Sequence, residues 1–202
     1  MEKLSRVIDR IRRMTHDEQV LEYTNETIVD YINDGIKFVR RAVMNIYPQL
    51  LIDIDTEDIL EPEEDTIYLF EPIAQIVDFR IDGRVIPCVN PGSVSDTYEL
   101  GQPQGYAMEN FDTIKIYPAP ENPTPYTLKA IKDFEPLTVD SEEIPLTNGL
   151  IDFVVEYAIM RASFTNEFDM TQESSLMVSV LQSLEARLRA FTPASVITRG
   201  YW

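Results

Sequence analysis

The sequence holds one cysteine, one histidine and one tryptophan in 202 residues. Cys88, standing by itself, excludes an intramolecular disulfide and a CxxC-type zinc site. His16 falls in a polar turn between two helical patterns. General acid–base and zinc chemistry both lean on imidazole with positioned partners, so a lone histidine reads more simply as a surface residue. Seven glycines leave little material for a phosphate-cradling loop, and neither a GxSxG elbow nor an HExxH helix occurs. No apolar run approaches the roughly 18 residues that span a bilayer. The segment MEKLSRVIDRIRRM is charged throughout and lacks the apolar stretch of a signal peptide. The expectation is a soluble protein made in a reducing cytoplasm, not an enzyme, with no cofactor, no metal and no membrane partner.

Basic residues are also scarce: 17 Lys and Arg face 35 Asp and Glu, a net charge of −18. The imbalance is concentrated. Residues 1–50 carry eight bases and eight acids, residues 51–150 five and twenty-one, and the remainder four and six. Wrapping DNA needs clustered Lys and Arg, which this acidic middle denies. Repulsion still allows DNA to pass close by without adhering. What the chain has in quantity is apolar material, 44% of its residues, enough to bury a substantial core.

Helical spacing of Leu4, Val7, Ile8, Ile11 and Met14 predicts a first helix, with Arg6, Arg10, Arg12 and Arg13 mostly on its solvated side. A second helix starts near Thr24 or Asn25, buries Ile28, Ile32, Ile36, Val39 and Val43, and stops at Pro48. Gly35 inside it costs about 1 kcal/mol against alanine, which points to close packing there. The segment Asp53–Asp65, with eight acids and no base, reads as an exposed connection. Strands are expected at Thr66–Glu71, Ile73–Ile81 and Arg84–Val89, the last two joined by an Asp82-Gly83 hairpin turn. Tyr106–Phe111, Thr113–Tyr117 and Tyr126–Phe134 read as a meander, and Pro118, Pro120, Pro123 and Pro125 stiffen its tip and stay out of any central strand. Helices return after Thr147 or Asn148, with Ile151, Val154, Val155, Ala158, Ile159 and Ala162 on one face. A last helix, capped by Thr171, carries the core stripe Leu176, Val180, Leu184 and Leu188. The fold class is therefore α+β: a helical bundle made by both ends (residues 1–52 and 144–192), carrying a β-rich insertion (53–143), and followed by an arm (193–202).

Asp53, Asp55, Glu57, Glu61 and Glu64 match ligand positions of a calcium-loop template, but Asp58 stands where the template needs glycine. A solvated acidic linker is the better reading. In the arm, Val196, Ile197, Tyr201 and Trp202 place large apolar groups where a chain usually frays, and aromatic anchors of this kind typify protein interfaces.

Five segments carry a family resemblance: YINDGIKFVRRAV (31–43), DTIYLFEPIAQIVDFRIDGRVI (65–86), GQPQGYAMENFDTIKIYPAP (101–120), YTLKAIKDFEPLTV (126–139) and IPLTNGLIDFVVEYAIMRA (144–162). In this order the chain resembles the head–tail adaptor proteins of tailed bacteriophages, the connector family that includes tail tubular protein A of podophages. The resemblance implies a structural virion protein, typically a ring of about twelve copies under the portal, with DNA passing through the channel without specific binding. It implies as partners the chain itself, the portal, and tail or nozzle proteins. Portal docking would fall to Val196, Ile197, Tyr201 and Trp202. Asp53, Asp55, Glu57, Asp58, Glu142 and Glu143 become candidates to line the channel, and Pro118, Pro120, Pro123 and Pro125 to meet the tail or a neighbouring copy. The alternatives are a tail-terminator or baseplate-type assembly protein and, against the absences above, a phage-encoded hydrolase using paired carboxylates.

Overall fold

The computed structural model describes residues 2–20, 22–90, 100–141, 143–164 and 170–191. Helices α1 (Leu4–Met14), α2 (Asn25–Ile46), α3 (Asn148–Phe164) and α4 (Met170–Phe191) belong to one compact unit drawn from both ends of the chain, up to Tyr47 and from Glu135 onward. The strands belong to a second unit, Pro48–Phe134. The fold class is α+β, as the sequence predicts.

In the helical unit, α1 buries Leu4, Val7, Ile8 and Ile11. The Thr24 side chain caps α2 by accepting from the Thr27 amide at 3.2 Å. The expected stripe of Ile28, Ile32, Ile36, Val39 and Val43 is buried along α2. Helix α3 buries side chains nearly all round, from Ile151 and Phe153 to Tyr157, Met160 and Ala162, which marks it as the central helix of this unit. Gly35 explains itself here. A Cβ at that position would stand 3.1 Å from both Cγ1 and the carbonyl oxygen of Val154, so glycine lets α2 and α3 approach.

Three expectations change in this unit. Arg12 is buried, not solvated: it donates to Asp17 Oδ2 (2.7 Å), the Tyr23 carbonyl (3.0 Å) and Asn25 Oδ1 (2.8 Å), tying the turn after α1 to the start of α2. The α4 stripe is core only in its second half, where Leu184 and Leu188 are fully buried, while Leu176 is 48% exposed. The Thr171 side chain, expected to cap α4, lies outside the described residues. The stretch 135–143, counted above with the β-rich insertion, packs with the helices. Asn33 both accepts from the Leu137 amide (2.8 Å) and donates to its carbonyl (2.9 Å), and the Ile144 amide reaches the Glu2 carbonyl at 3.1 Å.

The β unit holds β1 (Ile54–Leu60), β2 (Thr66–Tyr68), β3 (Ile73–Ile81), β4 (Arg84–Val85), β5 (Leu100–Gly101), β6 (Gly105–Asn110), β7 (Thr113–Tyr117), β8 (Ala119–Pro120) and β9 (Thr124–Lys132). They form an antiparallel sheet in the order β1-β9-β3-β4, a second in the order β2-β7-β6, and a short parallel pair β5-β8. Asp82 and Gly83 both take positive φ (51° and 72°), the geometry of a tight two-residue hairpin, so this turn forms where the sequence places it. The strands of 101–134 do not continue as one meander. After β7 the proline segment pairs with β5, and β9 then enters the other sheet between β1 and β3. Both sheets contribute to one core. Phe79 on β3 lies edge-on to Tyr106 of β6 (5.1 Å between centroids) and to Tyr126 of β9 (6.1 Å).

The acidic segment is the largest departure in this unit. Residues 54–60 form a strand and not a connection: Ile54, Thr56, Asp58 and Leu60 pair with Ala130, Leu128, Tyr126 and Thr124 of β9. The period-two placement of Ile54 and Leu60 puts two apolar groups at the core face, and Leu60 is fully buried. Pro125 likewise lies within β9, a central strand. It sits one residue from the strand's start, beyond the last β3 pair, Ile81↔Tyr126. Its carbonyl accepts from the Asp82 amide (2.8 Å), so its missing N–H falls where the β3 ladder has already ended.

Candidate interaction surfaces

Strand β1 is an edge strand, and its acids define that edge. Asp53, Asp55, Glu57 and Asp58 are all exposed. Alternation sends Asp55 and Glu57 to the outer face, where Asp55 meets Lys129 Nζ at 3.1 Å. Asp58 falls on the other face, opposite Tyr126, and its Oδ1 accepts from the Ile59 amide at 2.8 Å. Burial, with added repulsion from Asp58 and Glu64, pushes the Tyr126 phenol above its ordinary 10.0. A calcium loop needs its carboxylates to converge, whereas an extended strand sends successive ones to opposite faces. Among the described residues no three His, Cys, Asp or Glu side chains converge in a way that could hold a metal ion. Rows of charge on an open edge are how β proteins discourage unwanted strand pairing. Glu143 belongs to the helical unit, exposed and bridged through its backbone to Lys3, while Glu142 lies outside the described residues.

The prolines split by exposure. Pro120 is buried, pairs with Gly101, and accepts from the Glu63 amide at 2.9 Å. Pro118 is half-buried, whereas Pro123 and Pro125 are exposed beside an open groove lined by Ile81, Arg84, Gln102 and Pro103. Val196, Ile197, Tyr201 and Trp202 lie outside the described residues.

Two further surfaces stand out, of which reading the sequence missed the first. Tyr68, Phe70 and Phe111 stand exposed on adjoining backbone segments of the β unit. The signal was present as aromatics at i and i+2 in Thr66–Glu71 and in the Asn110-Phe111-Asp112 turn, but expecting a strand through Phe70 gave that ring no reason to be solvent-facing. The second surface is the outer side of α1, where Lys3, Arg6 and Arg13 are exposed and Arg10 is held by Asp152 at 2.8 Å. No helix among the described residues is long and apolar enough to cross a membrane.

The features that stand out are an acidic strand edge, an aromatic patch and a basic helix face, which together are those of an interaction protein. The family model for SU10 adaptor protein matches residues 3–199, nearly the whole chain, and the chain belongs to that family. It is therefore a phage adaptor protein and a virion component that interacts with other head and tail parts. Among curated proteins none matches the chain significantly.

Proposed function

We propose that the chain is the subunit of a head-to-tail adaptor ring, of about twelve copies, that sits between portal and tail, closes the packaged DNA channel and seats the tail. The observation that carries this reading is the adaptor-family match, which spans both units and extends into the arm. In this reading the work is done by contacts and by charge, without a catalytic step. Val196, Ile197, Tyr201 and Trp202 anchor the arm on the portal. Asp53, Asp55, Glu57, Asp58, Glu142 and Glu143 supply acids to the channel wall, so that packaged DNA slides and does not adhere. Pro123 and Pro125, with Pro118 and Pro120 behind them, contribute to the face that meets the tail.

Deleting residues 193–202 tests the arm. The truncated protein should keep its circular dichroism spectrum and lose binding to the portal of the same virus in a pull-down. Undiminished binding would remove the arm from the account.

A further inference from the structure

Tyr68, Phe70 and Phe111 are 78, 108 and 75% exposed. Two backbone bonds bring their segments together: the Leu69 amide donates to the Asp112 carbonyl (2.8 Å) and the Ile73 amide to the Phe111 carbonyl (2.7 Å). A groove lined by Ile73, Ala74, Ile76 and Met108 continues from Phe111. Single exposed aromatics are ordinary, but three on adjoining segments beside an apolar groove mark an interaction surface.

We propose that this patch is one half of a head-to-tail contact between copies of the chain, the other half being the exposed basic face of α1. The inference rests on the ring reading and names the surfaces that would build the ring.

Charge selects the occupant. Glu71 follows Phe70, Glu109 and Asp112 lie beside Phe111 in the chain, and the Asp133 amide donates to the Pro72 carbonyl at 2.8 Å; all four residues are exposed. Lys115, paired with Asp65 (3.6 Å) and Glu109 (3.5 Å), and Lys132, paired with Glu71, offset part of this charge, and the acids still outnumber them. A second β unit set against these acids would meet like charge. The outer side of α1 offers the opposite sign: Lys3, Arg6 and Arg13 against Asp9, ending in Met14, which is 55% exposed. Two different patches on one chain make a heterologous contact, which repeats from copy to copy until the ring closes. Three aromatic side chains supply on the order of 450–750 Å². That is most of the roughly 800 Å² that each partner gives to a standard interface.

The test is oligomeric state, followed by mass photometry and sedimentation equilibrium on the full chain. Wild type should assemble. Tyr68→Ser/Phe70→Ser/Phe111→Ser should weaken assembly at least tenfold, as should Arg6→Glu/Arg13→Glu and Glu71→Lys/Asp112→Lys taken separately. All of these side chains are exposed, so thermal melting should show each variant folded. The chain carrying both charge reversals should assemble again. An aromatic triple variant that assembles like wild type, or a double reversal that fails to recover, overturns the inference and leaves the ring reading standing. Wild type that stays monomeric at every concentration also overturns the inference, and the ring reading then stands or falls with the portal present.

Discussion

Arg12 and Asp17 are only 6 and 1% exposed at their side chains, and each depends on the other. Asp17 also accepts from the Glu22 (3.0 Å) and Tyr23 (3.1 Å) amides, so one carboxylate fixes the whole turn between α1 and α2. Removing one partner of a buried pair leaves the other charge uncompensated, at a cost of about 3–5 kcal/mol. Asp17→Ala should therefore lower stability by about 3 kcal/mol or more in urea denaturation, and a loss under 1 kcal/mol would show that water replaces the contact. Gly35→Val should cost about 1–3 kcal/mol through overpacking against Val154. The tyrosines give a pH signature. Burial is the main cause that raises Tyr23, Tyr106 and Tyr126 above their ordinary 10.0. Below pH 10 folded and unfolded chains both hold these protons, and the stabilisation is complete. As the pH rises past that value the unfolded chain ionises first, so stability falls until the folded phenols also titrate. Tyr126→Phe should make this alkaline loss shallower, which denaturant midpoints measured between pH 9 and 11 will show.

At the scale of elements, the sequence was legible wherever structure is local. Apolar spacing and the Thr24 cap locate α1 and α2, and Asp82-Gly83 locates its hairpin, because each is decided within a few neighbouring residues. The arrangement of strands was not legible, because β1 is recruited by β9 some seventy residues later and β7 is flanked by β2 and β6. Eight acids in 53–65 hid the alternation of Ile54 and Leu60, which is what makes the segment a strand. Arg12 was misplaced for a related reason: its helical position says solvent, while its partners lie beyond the helix. The acids of β1 carry their own prediction. Asp55→Thr/Glu57→Thr/Asp58→Thr keeps residues suited to a strand but strips the edge of charge, so self-association through β1 should appear as increased light scattering and thioflavin binding. A monodisperse variant would mean that the edge is protected by something other than charge.

For the whole molecule, the family was legible from the order of segments, since the adaptor match spans residues 3–199. The candidate surfaces were only partly so. The sequence pointed to the acidic stretch and the prolines, whereas the exposed aromatic trio emerges from strand ends that only the folded β unit brings together. A net charge of −18 per copy means that a ring must offset strong self-repulsion with complementary patches, a partner surface or an acid-lined aqueous channel. The central claim, a ring seated on the portal, is met most directly by electron microscopy of this protein mixed with the portal of the same virus. Rings of about twelve copies should stack coaxially on the portal, with the acids of β1 toward the lumen. Single copies scattered over the portal, or no complex at all, would contradict it.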